Sequence, residues 1–185
     1  MNIQKFIWYI QTRLKKVLYG HIGHASYFAR GLHIIGRRKI YIGNKCRIYP
    51  NARIEVVNHG KLIVFDDVSI GQNAHIISFK GELCIGKSTT ISSNVFISNV
   101  NHSYQDINIS SLKQDLIYKK TVIGDYCFIG TGAVIMPGAI LGKNCIVGAN
   151  SIVLSGNYDD YTILAGNPAR IVKKYDFIKK VCVKV

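Results

Sequence analysis

Acidic side chains are scarce in this sequence: ten Asp and Glu face 24 Lys and Arg in 185 residues, a formal charge of +14. Residues 1–40 hold eight basic residues and no acid, and residues 170–185 hold six against Asp176 alone, so the charge sits at the two ends. Such ends suit a polyanion, whether nucleic acid, anionic lipid or a small phosphate ester. Only three prolines occur, which excludes a Pro-rich linker or a collagen-like repeat. The five cysteines form no CxxC and have no His partner at metal-ligand spacing, which argues against a zinc site and, with an odd count, against a disulfide framework. No apolar run approaches the roughly 18 residues of a spanning helix, and the short FIWYI run is interrupted by Gln11 and Arg13, so neither a membrane span nor a secretory signal is expected. The phosphate-binding pattern GxxxxGK[ST] is missing. "GTGAVI" places Ile135 where a dinucleotide fingerprint needs glycine, and RNA-binding aromatic signatures are lacking, so no nucleic-acid partner is expected.

What is present is a rhythm. Hydrophobic residues make up 48% of the chain and glycine contributes 17 residues, a composition for an all-β domain of short strands and tight turns rather than a disordered chain. From residue 42 the chain reads "IGNKCR", "IYPNAR", an enlarged "IEVVNHGKL", "VFDDVS", "IGQNAH", an enlarged "IISFKGELC", "IGKSTT", "ISSNVF" and "ISNVNH". It breaks at residues 103–120 and resumes as "IGDYCF", "IGTGAV", "IMPGAI", "LGKNCI" and "VGANSI". Ile123, Ile129, Ile135, Leu141, Val147 and Val153 mark every sixth place. This period is neither helical nor alternating; it is that of a parallel β-helix, in which three units close a triangular coil and coils stack about 4.8 Å apart. The aliphatic first residue points inward, and the small fifth residue, including Cys46, Cys127 and Cys145, leaves room beside it as a buried filler, which fits a reducing, cytosolic setting. Glycine at the second place is expected to supply φ > 0 at the bend.

Ahead of the repeat, Ile3, Phe6, Ile7, Ile10, Leu14, Val17 and Leu18 fall at helical spacing in a segment ending near Gly20. The expected amphipathic helix packs its apolar face on the domain or a neighbouring subunit, or lies with residues 1–19 on an anionic membrane surface, where Trp8 suits the headgroup region. The expected organisation is residues 1–34 as helix and lead-in, 35–172 as β-helix with the 103–120 loop, and 173–185 as a basic tail.

These hexads and the ending "AGNPARIVKK" resemble the hexapeptide-repeat acyltransferases over residues 35–172, most closely the maltose and galactoside O-acetyltransferases and the O-acetyltransferases of surface-polysaccharide biosynthesis. The resemblance implies a left-handed β-helix, a homotrimer with sites between subunits, acetyl-CoA as co-substrate without a metal, and a saccharide acceptor. It also implies a cytoplasmic protein, with the basic N-terminus suited to the inner face of the membrane.

Function is sought where the rhythm fails. His102 stands at the start of the long polar and aromatic interruption, at the place where the resembling enzymes carry their catalytic histidine. Many polysaccharide-modifying relatives have a carboxylate just before it; here Asn99 and Val100 occupy those positions, so Asp106 or Asp115 is expected to orient the imidazole instead. The expected chemistry is general-base transfer without an acyl-enzyme, with backbone N–H groups stabilising the oxyanion. The resemblance puts Thr131 and Ala149 along the pantetheine groove and Arg170 and Lys173 near the nucleotide phosphates, while Leu154 and Ser155 replace a Thr-Lys pair common in relatives. His59 and His75 lack the spacing of the metal-dependent carbonic anhydrases of this fold. An N-acyltransferase acting on an amino sugar, and a non-catalytic scaffold or polyanion-binding module, are the alternatives.

Overall fold

The computed structural model describes residues 3–185 as a parallel β-helix of seven coils, with one α-helix at its start. Met1 and Asn2, which open the stretch assigned to membrane contact, lie outside the described residues. Three sheets of seven, nine and six strands form the faces of the prism. The aliphatic series turns one face at each step: Ile123 pairs in register with Leu141, Ile129 with Val147 and Ile135 with Val153. On the second face Ile48, Ile70, Ile91, Ile129, Val147 and Leu164 form one column, each at 0–1% exposure. Burying such a column is the main driving force for a fold whose coils touch only their neighbours. Cys46, Cys127 and Cys145 are buried between the columns.

The bends run differently from the expectation. Left-handed backbone occurs at the fourth place of the unit, as at Lys45, Asn51, Asn73, Asn94, Asn144 and Asn150, where asparagine is the residue best suited to it after glycine. The second-place glycines do not carry it; they are required by close stacking. A Cβ on Gly71 would stand 2.5 Å from the carbonyl carbon of Ser92 in the next coil.

The column also starts earlier than the rhythm. His21–Ile22, Tyr27–Phe28 and His33–Ile35 form a complete first coil within the stretch assigned to the lead-in, pairing with Ile40–Ile42, Arg47–Ile48 and Arg53–Val57. Phe28 takes an aliphatic place and Leu32 a small one, which hides the unit from a sixfold count. At the other end the tail is not loose: Ala169–Asp176 folds back antiparallel on Thr162–Gly166, and Val181–Lys184 pairs with it in turn.

Helix α1 (Ile3–Lys15) has no acid in its first turn and ends with Arg13 and Lys15, which complement the helix dipole. It continues as a 3-10 turn, Lys16–Leu18, before Tyr19 becomes extended. Its aliphatic face does not pack on the domain, the first of the expected placements. Trp8 and Thr12 face the domain, Trp8 stacking 6.0 Å from Tyr27 and the Thr12 hydroxyl accepting the Phe28 N–H at 2.8 Å. Trp8 is thus buried in the fold and not offered to a headgroup region.

Outside the third face, Glu55 accepts hydrogen bonds from Arg53 Nε at 2.9 Å and His75 Nε2 at 3.2 Å. Burial alone would raise its pKa, but the Arg53 and His75 hydrogen bonds and charges outweigh burial and hold it below its ordinary value. A depressed folded-state pKa contributes stability above the unfolded value, about 4.3, and loses it as pH falls through the folded value. Glu55→Gln is therefore expected to cost roughly 1 kcal/mol at pH 7, with the difference from wild type shrinking at acid pH in calorimetry.

Candidate active site

The interruption after the fourth coil is a hairpin, not an irregular loop. Val100–His102 pairs antiparallel with Leu116–Tyr118, placing His102 opposite Leu116. A buried polar clamp holds its root. Asn99 Oδ1 accepts the Phe79 N–H at 2.7 Å, and the Asn99 carbonyl accepts the Lys119 N–H at 2.9 Å. Thr121 Oγ1 donates to the Lys119 carbonyl at 3.1 Å and accepts the Gly138 N–H at 2.9 Å. These bonds tie both strands of the hairpin to the rigid third and first faces. Sequence reasoning did not assign Asn99 and Thr121 this role; the available signal was polar residues at the ends of aliphatic units.

His102 is exposed, with Nδ1 3.2 Å from the Ser111 carbonyl oxygen, inside the short 3-10 turn Ser111–Lys113 of the hairpin tip. A carbonyl can only accept, so Nδ1 carries the proton in that bond, which leaves the Nε2 lone pair of the neutral imidazole on the side of the ring away from it. The expected carboxylate helper is not found: among the described residues no hydrogen bond or ion pair joins Asp106 or Asp115 to the imidazole. Asp106 Oδ1 instead accepts the Asn108 N–H at 2.9 Å, a local turn bond, and Asp115 contributes its backbone carbonyl to the Ser103 N–H at 2.8 Å. The tip is braced by Gln114, whose Nε2 donates to the Asp106 and Ile109 carbonyls at 2.7 and 2.8 Å. No group of three or more His, Cys, Asp or Glu side chains able to hold a metal occurs among the described residues.

The residues assigned to the donor lie elsewhere on the column. Thr131 and Ala149 share the edge between the second and third faces one coil apart, the Thr131 carbonyl accepting the Asn150 N–H at 2.9 Å. Thr131 also lines a shallow cleft of about 330 Å³ with Tyr49, Gln72 and Ser93. Arg170 pairs with Ala165 in the last coil, continuing that edge, whereas Lys173 pairs with Ile163, about 10 Å further along the strand. Both are exposed and, among the described residues, neither is paired with a carboxylate, while neighbouring Lys174 binds Asp159 at 3.1 Å. His102, by contrast, leaves the column at the edge between the third and first faces. One chain therefore brings Thr131, Ala149 and Arg170 into line but does not bring them to His102. A second cleft, of about 320 Å³, lies beside the hairpin root between Asn101, Lys119, Met136, Pro137, Leu154 and Ser155.

Comparison with known proteins agrees with this architecture. An Escherichia coli K12 protein assigned as a lipopolysaccharide-biosynthesis O-acetyl transferase is 33% identical over 131 residues, 67% of this chain and 66% of that protein. A Mycobacterium tuberculosis protein assigned as an acetyltransferase is 26% identical over 157 residues, 76% of this chain but 52% of its own length. The chain thus spans about half to two thirds of the length of these relatives. In fold it is similar to a Bacillus cereus N-acyltransferase solved with dTDP and 3-hydroxybutyryl-CoA, with a TM-score of 0.78, 21% identity and coverage of 89% of this chain and 87% of that one. Residues 120–155 match the bacterial transferase hexapeptide family across six repeats, and apart from the hairpin the same aliphatic columns continue through the coils before and after them, so the chain has the left-handed β-helix fold of hexapeptide-repeat proteins.

Proposed function

We propose that the protein transfers an acetyl group from acetyl-CoA to a hydroxyl of a saccharide or glycan precursor, with His102 as general base. The observation that carries this reading is the imidazole held by the Ser111 carbonyl at the clamped root of the hairpin that interrupts the column. Nε2 takes the acceptor hydroxyl proton as that oxygen attacks the thioester carbonyl. The tetrahedral intermediate then expels the CoA sulfur, which receives the proton from the imidazolium, so no covalent enzyme intermediate forms. The separation of His102 from Thr131 and Ala149 supports a donor groove completed by a second subunit, hence a homotrimer. The five free cysteines fit a cytoplasmic setting, where acetyl-CoA is available.

Thiol release from acetyl-CoA with a panel of neutral and amino sugars tests the proposal. Hydroxyl-dependent release supports it. Release confined to amino sugars would favour the N-acyltransferase reading, to which the Bacillus cereus fold neighbour lends support, and absence of CoA binding would favour a scaffold. Arg170 and Lys173 are proposed to meet the nucleotide phosphates. The Arg170→Ala/Lys173→Ala double variant is expected to weaken CoA binding by about tenfold, equal to 1.4 kcal/mol, with turnover at saturation retained, as calorimetric titration and kinetics would report.

A further inference from the structure

We infer that helix α1 docks the protein on a bilayer surface bearing anionic phosphates, using a face the fold leaves bare. At about 100° per residue, Ile3, Phe6, Ile7, Ile10 and Leu14 form one stripe, opposite the Trp8 and Thr12 side that grips the first coil. All five are exposed, Ile3 at 81% and Leu14 at 76%, and Val17 in the following turn extends the stripe at 86%. A helix packed to stabilise the column would bury this stripe. Here the helix buries its aromatic and hydroxyl side and turns its aliphatic side to solvent, the arrangement of an interfacial helix lying in the headgroup plane.

Charge selects the occupant. Arg13, Lys15 and Lys16 close the helix, and residues 1–40 contain no acid. Beside the helix a hollow of about 360 Å³ against the first coil is lined by Lys15, Arg30 and Arg37 together with Gln11, Thr12 and Tyr19, with no carboxylate on its wall. Arg38 and Lys39 follow at the same end of the column. A second copy meeting this stripe helix to helix would bring two such cationic sets together, whereas a surface of lipid phosphates neutralises them while accepting the aliphatic side chains. Among the described residues no helix is long and apolar enough to cross a membrane, so the contact is peripheral.

Co-sedimentation of the full-length protein with vesicles tests this. Binding to phosphatidylcholine vesicles containing phosphatidylserine is expected to exceed binding to pure phosphatidylcholine by about tenfold or more and to weaken with salt. Ile10→Asp/Leu14→Asp is expected to remove the binding, with an unchanged circular dichroism spectrum and unchanged mass by light scattering. Lys15→Glu/Lys16→Glu, which leaves the stripe intact, is expected to remove the anionic preference. Absence of vesicle binding in the wild type, undiminished binding in both variants, or a fall in oligomer mass in the Asp variant, which would assign the stripe to a second copy, overturns the inference.

Discussion

Turnover of His102→Ala is expected to fall by about 10²–10⁴-fold, the range for loss of a general base, while CoA affinity stays within about twofold of wild type. The split follows from where the groups lie. His102 sits on the hairpin, whereas Thr131, Ala149 and Arg170 lie on another edge of the column, so truncating the imidazole removes no proposed donor contact. The side chain is exposed and supports no packing, and its hydrogen bond ends on the Ser111 carbonyl, which can turn to water. Folding should therefore be unaffected. His102→Gln, which can keep a donor toward Ser111 but supplies no base at neutral pH, is expected to be as inactive as the alanine variant. A variant retaining a tenth of wild-type turnover would move the base elsewhere.

The second large effect concerns the column itself. Ile129→Ala is expected to destabilise the protein by about 2–5 kcal/mol and to lower the melting temperature by about 4–20 °C at this size. Ile129 is fully buried, registered between Ile91 on one coil and Val147 on the next, and the hydrogen-bonded coils cannot close over a missing side chain without breaking register. Phe128 supplies the control. It is the adjacent residue, larger and also apolar, yet it points outward at 46% exposure, and Phe128→Ala is expected to change stability by no more than about 0.5 kcal/mol. Equal costs at the two positions would contradict the inward assignment of the first place in each unit.

The difference between those neighbours was legible in the sequence because the inward place recurs at a fixed interval and demands one class of side chain. The same logic made Cys46, Cys127 and Cys145 readable as fillers. Legibility failed wherever a residue answered to a contact outside its own unit. The second-place glycines yield to the backbone of the next coil, a constraint from stacking that resembles a turn signal in one dimension. The first coil was hidden because Phe28 and Leu32 sit at an end of the column, where the helix packs on the Phe28 strand and Leu32 stays half-buried, so the volume rule relaxes. For α1 the periodicity identified an amphipathic helix but could not say which side meets the domain. The buried side is chosen by Trp8 and by the fit of the Thr12 hydroxyl to the Phe28 N–H, not by hydrophobicity alone. At the candidate site, sequence located His102 at the hairpin root but looked for a carboxylate to orient it. The partner is a backbone carbonyl, which has no side-chain signature, and the clamp residues Asn99 and Thr121 act through hydrogen bonds to backbone groups that no spacing encodes.

In the proposed reaction Nε2 of His102 faces the acceptor hydroxyl. A crystal structure of the protein with CoA and the sugar selected by the thiol-release panel measures this directly. The expected result is an acceptor hydroxyl about 2.6–3.2 Å from His102 Nε2, with the CoA sulfur on the far side of that oxygen and Nδ1 still bonded to the Ser111 carbonyl. A sugar bound beyond reach of the imidazole, or another side chain occupying that place beside the reacting hydroxyl, would contradict it.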